Sequence, residues 1–402
     1  MTDTGTTEQR AHDIVLFGAT GFTGGLTAEY LARHAPAACR WALAGRSTAK
    51  LERLRDRLAA VNPACAGLPL LHADAGDPAA LRQVAGSARV VATTVGPYST
   101  HGEPLVAACA ESGTDYVDLA GEPEFVDRMY LRYDARARET GARLVHACGF
   151  DSVPHDLGVH FTVGQLPEGV PLRIDGFVRS NATFSGGTFA SALTALSRPR
   201  ETARAARDRR HSEPRPAAGR RVRAALAPPR RSRSVHAWAL PLPTIDPQIV
   251  ARSAAALERY GPDFRYRHHA AVARLPVAVA GVAAVGAVGA LAQLPAARQW
   301  LSERRKPGEG PSPARRAGSW FAVRFVGEGG GRSVITEVSG GDPGYDETAK
   351  MLAESALCLA FDDLPDLGSR GRGQVTTAMV MGEALTARLV AAGLTFRVVR
   401  TG

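Results

Sequence analysis

The run Asp13-Ile-Val-Leu-Phe-Gly18-Ala-Thr-Gly21-Phe-Thr-Gly24, continued by Gly25-Leu-Thr-Ala-Glu-Tyr-Leu-Ala-Arg33, constrains the chain more than any other stretch. Ile14 to Phe17 is a continuous apolar run, the pattern of a strand buried on both faces. Three glycines follow at a G-x-x-G-x-x-G spacing. Beyond them the apolar period becomes helical, with Leu26, Tyr30 and Leu31 on one face. Strand, glycine turn and helix in that order form a dinucleotide-binding unit. Gly18 permits the tight turn, Gly21 lets backbone approach a pyrophosphate, and Gly24 lets the helix pack on the strand. Free N–H groups and the dipole at the helix start favour phosphate charge. Cofactor contacts are therefore expected from Gly18, Ala19, Thr20, Gly21, Phe22, Thr23 and Gly24.

The rhythm continues. Arg40 to Ala44 reads as a second strand, ending at Gly45-Arg46-Ser47. A cofactor with a free 2′-hydroxyl is usually held by an acid here. Arg46 and the Ser47 hydroxyl suit a 2′-phosphate instead, which favours NADP over NAD. Leu68 to His72 is a third strand. Asp74 after it is placed to reach the adenine edge, and Asp77-Pro78 reads as a helix cap. Arg89 to Thr94 is a fourth strand and runs into Val95-Gly96-Pro97-Tyr98-Ser99-Thr100-His101. That loop faces the first strand across the switch point, where the nicotinamide half lies. Val95, Gly96, Pro97 and Tyr98 are therefore expected at the cofactor, and Tyr98, Ser99 and His101 are placed to meet cofactor or substrate. Asp115 to Leu119 and Arg143 to His146 complete a parallel sheet expected in the order 3-2-1-4-5-6. The loop Cys148 to Gly158 then lies at a carboxyl edge where ligands gather. Asp151 and Ser152 there serve equally well as caps of a helix starting near Pro154.

The expected fold is thus α/β, a Rossmann-type doubly wound parallel sheet with a second α+β domain. Residues 1–11 read as a flexible tail and 12–165 as the NADP-binding domain. Residues 166–375 read as the substrate domain. Residues 376–402 read as a C-terminal helix and strand, with a return to the first domain left open. Within the second domain, Ser185-Gly186-Gly187-Thr188 is expected to start a helix, Phe189 to Leu196, able to bind an anionic or carbonyl group. A hairpin is expected from Trp320–Val326 and Ser333–Val338.

Charge and cysteines exclude several classes. Between Arg198 and Arg233 lie 13 arginines against three acids, Glu201, Asp208 and Glu213, which carries the whole +10 excess. No aromatics interleave those arginines, so a nucleic-acid surface is not expected. The insertion 198–234 reads first as a solvated, partly disordered loop and second as a dock for an acidic partner. Five cysteines without C-x-x-C spacing argue against a disulfide framework or a metal site and fit a reducing cytoplasm. Leu275 to Ala297 carries no charge. It reads as a hydrophobic helix touching acyl chains or the inner face of the plasma membrane, beside a core-helix reading and a true span. Arg274, Arg298, Arg304 and Arg305 flank it.

Five stretches together resemble the saccharopine dehydrogenase-like oxidoreductases, and among them the actinobacterial trans-acting enoyl reductases. They are Gly18 to Gly24, Ala44 to Ser47, Val95 to Tyr98, Tyr116 to Glu122 and Gly149 to Gly158. The likeness continues in Ser185 to Thr188, in Pro243-Thr244-Ile245-Asp246-Pro247 and in the C-terminal helix. The Arg-rich insertion departs from it. The resemblance implies NADP(H) as cofactor. It also implies a polyketide-derived lipid chain as substrate, carried as an α,β-unsaturated thioester on a polyketide synthase or acyl carrier protein. A developing enolate needs a hydrogen-bond donor and a proton source. Tyr98 and His101 are the expected donors, then Asp151 and His155. Two other readings stand beside it: an imine reductase of the saccharopine-forming kind, and a non-catalytic NADP sensor or membrane scaffold.

Overall fold

The apolar run Ile14 to Phe17 lies inside strand β1 (His12–Phe17), and its side chains alternate between two cores. Ile14 and Leu16 face one helix layer, Val15 and Phe17 the other, all 3 % exposed or less. Burying each such side chain contributes about 1.5–3 kcal/mol, so β1 holds its place from both sides. The structure is a computed structural model that describes residues 10–182, 197–216, 219–225, 227–294 and 310–402.

Around β1 stand β2 (Trp41–Gly45), β3 (Leu70–His72), β4 (Ala88–Thr93), β5 (Asp115–Val117) and β6 (Arg143–Val145). They form the parallel order 3-2-1-4-5-6, as the βα rhythm requires. A seventh strand, Gly373–Val375, adds in parallel to β6. The sequence reading left that strand out, because three residues carry no periodicity. The helix Asp346–Phe361 packs against the helix Phe22–His34 and against β4 and β5. Its Met351 and Leu352 are fully buried in the same core as Ile14 and Leu16. The first sheet therefore draws on chain far beyond residue 165.

The second sheet begins with β7 (Leu172–Ser180), β8 (Arg221–Ala224), β9 (Arg230–Ser232), β10 (Ala237–Pro241) and β11 (Asp263–Val272). It closes with the hairpin β12 (Phe321–Gly329) and β13 (Arg332–Gly340) and the last strand, Thr395–Thr401. The spatial order is Thr395–Thr401, β13, β12, β7, β11, β10, β9, with β8 pairing β11. The hairpin runs further than expected, through the glycine stretch to a turn at Gly330 and Gly331, both with positive φ. The last strand joins this sheet through β13, whereas the helix Gly382–Ala391 before it packs on Asp346–Phe361. The helix Val153–Gly164, which follows β6 in the chain, lies against β12 and β13 of the second sheet.

The basic insertion is not a solvated loop. Its first part is a helix, Pro199–Ser212, packed on the helix Pro123–Thr140. Arg209 is buried and pairs with Asp127 and Glu213. Arg198 pairs with Glu124, Arg223 with Asp263 and Arg230 with Asp175. Arg220 donates to the carbonyls of Ala254, Ala255, Leu257 and Gly261. A charge count along the sequence cannot show that Arg198, Arg209, Arg220, Arg223 and Arg230 meet acids or carbonyls supplied from elsewhere. The expected Ser185–Thr188 turn and Phe189–Leu196 helix lie outside the described residues, as do Pro295 to Ala297, Arg298, Arg304 and Arg305.

Candidate active site

The glycine loop folds as its spacing demands. Gly18 has φ +84°, and a Cβ there would lie 2.6 Å from Val95 Cγ2. A Cβ on Gly24 would lie 2.2 Å from the Gly18 carbonyl oxygen, so only glycine lets the helix Phe22–His34 approach β1 this closely. Gly21 is the N-cap, is exposed, and offers no side chain. The first-turn N–H groups of Phe22 and Thr23 are thus left for an anion. Ala19 is buried behind the loop, and Thr20 lies near Gly45 at the end of β2. The Phe22 ring carries Tyr345 edge-on at 4.9 Å and the Arg316 guanidinium at 5.5 Å, so second-domain chain closes over the loop.

Arg46 and Ser47 sit at the carboxyl end of β2. Arg46 is exposed and makes no ion pair among the described residues. Ser47 is the N-cap of the helix Thr48–Val61, yet its hydroxyl does not cap it. Both are therefore free to hold a 2′-phosphate. Asp74 is exposed, but its Oδ1 accepts the Gly76 N–H at 2.8 Å, which turns the loop. Asp77 caps the next helix through the N–H groups of Ala79 and Ala80. With Arg46 on a 2′-phosphate, replacing it with alanine would remove charge-assisted bonds worth about 1.5–3 kcal/mol. NADPH should then bind about 10- to 100-fold more weakly while NADH binding stays unchanged, measured by titrating each cofactor.

The loop after β4 corrects one expectation. Gly96-Pro97 is a cis peptide, and Tyr98–His101 forms a short helix. The Tyr98 ring is buried, and its hydroxyl donates to the Thr93 carbonyl at 3.1 Å and accepts the Leu119 N–H at 3.1 Å. It pins the carboxyl ends of β4 and β5 together and has no proton to offer a substrate. Burial, with the Asp118 carboxylate behind it, also raises the Tyr98 hydroxyl well above its ordinary pKa. Glu122, unassigned by the sequence reading, holds this helix by accepting the N–H groups of Tyr98 at 2.9 Å and Ser99 at 3.0 Å. His101 is exposed at the end of that turn. Val95 packs against Gly18, and Gly96 is exposed beside it.

Asp118 organises the next edge. Its Oδ1 accepts the N–H groups of Ala120 at 3.0 Å and Ala147 at 2.9 Å. Its Oδ2 meets the Tyr116 hydroxyl at 3.0 Å and His146 Nδ1 at 2.6 Å. Ala147 is held at φ +60°, a rare conformation for a residue with a side chain, just before the loop that carries Asp151.

Asp151 is the titratable group at this edge. Its Oδ1 stands 3.0 Å from where a Cβ on Gly121 would be, across the gap between the loops after β5 and β6. Burial first, then the Asp246 and Asp118 carboxylates, push its carboxyl up to about 7. One helical turn on, His155 Nδ1 meets Asp246 Oδ1 at 2.6 Å. Asp246 also accepts from the Thr244 hydroxyl and faces His268 Nε2 at 3.6 Å. His268 Nδ1 bonds the Tyr266 hydroxyl at 2.8 Å, and burial lowers that imidazole to about 3. These partners hold the Asp246 carboxylate below its usual range despite its burial, His155 contributing most. The buried Nε2 of His155 has no hydrogen-bond partner. Two neighbouring carboxyl groups thus have affinities for protons driven apart, one staying charged and the other holding a proton near neutrality. The contact between His155 and Asp246 has hydrogen-bond length, shorter than two ligands around one metal ion maintain.

His155 and Asp151 come from the loop that the sequence marked. Asp246 stood in the sequence only within Pro243 to Pro247, a stretch that carries the family resemblance and was given no role. His268 lies inside a strand and carried no signal. The sheet brings it to the site by pairing β11 with β7 and β10.

Residues 14–145 match the family described as the saccharopine dehydrogenase NADP binding domain. A trans-acting enoyl reductase of Mycobacterium tuberculosis is 39% identical over 415 residues, covering 96% of this chain and 97% of that protein. A trans-acting enoyl reductase of Mycobacterium ulcerans is 38% identical over 420 residues, covering 96% and 97%. Among solved structures, saccharopine dehydrogenase (L-Glu forming) from Saccharomyces cerevisiae superposes with a TM-score of 0.55 at 12% identity. It covers 97% of this chain and 100% of that one, so the two share a fold. The cradle at Gly18 and Gly24 and the free Arg46 fit the phosphates of NADP(H). The chain belongs to the trans-acting enoyl reductases, NADP(H)-dependent oxidoreductases built on the saccharopine dehydrogenase fold.

Proposed function

We propose that the enzyme reduces the α,β-double bond of a lipid-like acyl thioester in polyketide-derived lipid biosynthesis, the thioester being presented by an acyl carrier protein or polyketide synthase. The observation that carries this reading is Asp151, a carboxyl poised near neutrality beside Gly121 at the carboxyl edge of the NADP-binding sheet. NADPH, when bound, supplies the hydride that the β-carbon takes up. Reduction then leaves an enolate that needs one proton at its α-carbon. Asp151 holds that proton and delivers it, and regains one from solvent. Asp246, kept charged by His155, His268 and Thr244, raises the affinity of Asp151 for its proton and so keeps the donor loaded. Glu122 and Tyr98 position the loop that carries Ser99 and His101. The second sheet covers the site, which favours acyl chains over water.

An imine reductase would have to hold the two carboxylates of an amino-acid adduct. The interior arginines Arg209 and Arg252 are instead spent on Asp127, Glu213 and Gln374. We place the enzyme in the cytoplasm, at the inner face of the plasma membrane, where its five unbridged cysteines are at home.

The test is NADPH oxidation by the purified protein with a long-chain trans-2-enoyl thioester, a short-chain one, a carrier-bound one and none. Oxidation is expected with the long or carrier-bound enoyl thioester and with NADPH over NADH. Cofactor binding without oxidation under any of these conditions would overturn the reading in favour of a non-catalytic NADP sensor.

A further inference from the structure

The helix Leu275–Ala292 stands out among the described elements. Its mean hydropathy is 2.1, yet only 12% of it is buried. Among the described residues its main contacts are with β10 and β11, and it buries Ala278 near its foot and Ala292 at its end. Leu275, Val277, Val279, Val282 and Leu291 are 39–61% exposed. At 3.6 residues per turn, Val277, Val279, Val282 and Leu291 point about 200°, 40°, 340° and 160° from Leu275, so apolar exposure covers most of the circumference, and the buried Ala278 and Ala292 mark the one strip, near 260–300°, that meets protein. A helix that docks in a protein groove keeps a polar face for water. A helix apolar on all sides and outside the core is solvated only by hydrocarbon.

Charge at its foot selects the kind of hydrocarbon. No acid occurs between Phe264 and Ser302, or between Pro214 and Ile245. Arg274, at the N-cap, is exposed. Val272 pairs Trp238, which pairs Arg231, so Arg231 sits two strands, about 10 Å, from the helix root. Arg231, Arg233 and His236 line one exposed concavity there. Arg231, Arg233 and Arg274 make no ion pair among the described residues.

We infer that this helix inserts from one side into a bilayer of anionic phospholipid, with Arg231, Arg233 and Arg274 at the headgroups. The nearest described strands on either side in the chain, β11 and β12, both belong to the second sheet. His268 lies four residues from the end of β11, about 13 Å along the strand. A lipid-like acyl chain leaving the bilayer at the helix root therefore has a short path to the candidate active site. The inference rests on the helix and its arginines, and only its purpose rests on the proposed reaction.

The test sediments the full chain with vesicles of phosphatidylcholine alone and of phosphatidylcholine with about 30% phosphatidylglycerol, the anionic fraction supplying a negative surface. Binding to the anionic vesicles is expected, at least about tenfold weaker to the neutral ones, and weakened by salt. Val279→Glu with Val282→Glu should abolish sedimentation with either vesicle and leave NADPH affinity unchanged. Arg231→Glu with Arg233→Glu should erase the preference for anionic vesicles alone. Wild-type protein that ignores both vesicles, or a Val279→Glu, Val282→Glu variant that binds as before, would overturn the inference. So would a dimer that these valine changes convert to monomer without any vesicle binding, since a second copy would then be the occupant. None of these readouts uses turnover, so the proposed reaction stands or falls separately.

Discussion

Asp151→Asn lowers turnover of a trans-2-enoyl thioester by about 10²- to 10⁴-fold, the contribution of a positioned proton donor, and leaves NADPH affinity unchanged. The asparagine amide keeps the shape of the loop and cannot release a proton. Wild-type turnover falls as pH rises through about 7, because the carboxyl donates only while protonated. The variant loses that limb. Stability carries the same signature. Unfolded, Asp151 ionises near its ordinary value of about 3.9. Folded, it keeps its proton up to about 7. Between those two values the folded state binds the extra proton, so stability falls as pH rises across the window. Above it the full cost of the buried carboxylate is present. The melting temperature of Asp151→Asn therefore gains on wild type from pH 5 to pH 8. An unchanged turnover and an unchanged pH profile would remove Asp151 from the mechanism and leave His155, with its unpartnered Nε2, as the next proton source to test.

Gly24→Ala breaks the cofactor cradle. The new methyl would lie 2.2 Å from the Gly18 carbonyl oxygen and 2.9 Å from Thr94 Oγ1. Alanine has no rotamer by which to escape the Gly18 backbone, so the helix Phe22–His34 must retreat from β1 by about 1 Å to reach ordinary contact. Overpacking of this kind costs about 1–3 kcal/mol of stability. The same retreat moves the first-turn N–H groups off the pyrophosphate, and NADPH binding is expected to weaken more than about tenfold. Isothermal titration and a thermal melt measure the two effects. By contrast, Gly86→Ala meets nothing within 4 Å and serves as the control.

Local pattern carried a large part of the fold. β1, the glycine turn and its helix are neighbours in the chain, so their residue types report their contacts directly. The same holds for Asp77-Pro78, whose cap forms within three residues. The candidate site was legible only in part. The loops were found because they end strands of a readable rhythm. The roles within them were not, since Tyr98 is polar in sequence whether its hydroxyl faces substrate or backbone. It faces Thr93 and Leu119, and the proton donor proposed in its place is Asp151.

The basic insertion shows the same limit from the side of charge. Arg209 reads as one more solvated arginine until Asp127 and Glu213 are brought to it. The exposed apolar helix shows it from the side of burial, because composition alone cannot distinguish a core helix from one standing outside the core.

The sequence by itself determined the parallel order 3-2-1-4-5-6 and the glycine turn between β1 and its helix, and it put forward Arg46 as the partner of a 2′-phosphate, each from residues a few positions apart. Only the tertiary structure decided that Asp346–Phe361 and Gly373–Val375 complete the first sheet. It alone assembled Asp151, His155, Asp246 and His268 at one edge. Those groupings join residues about a hundred or more positions apart, and their stabilisation comes from packing and charge pairing that no local propensity encodes.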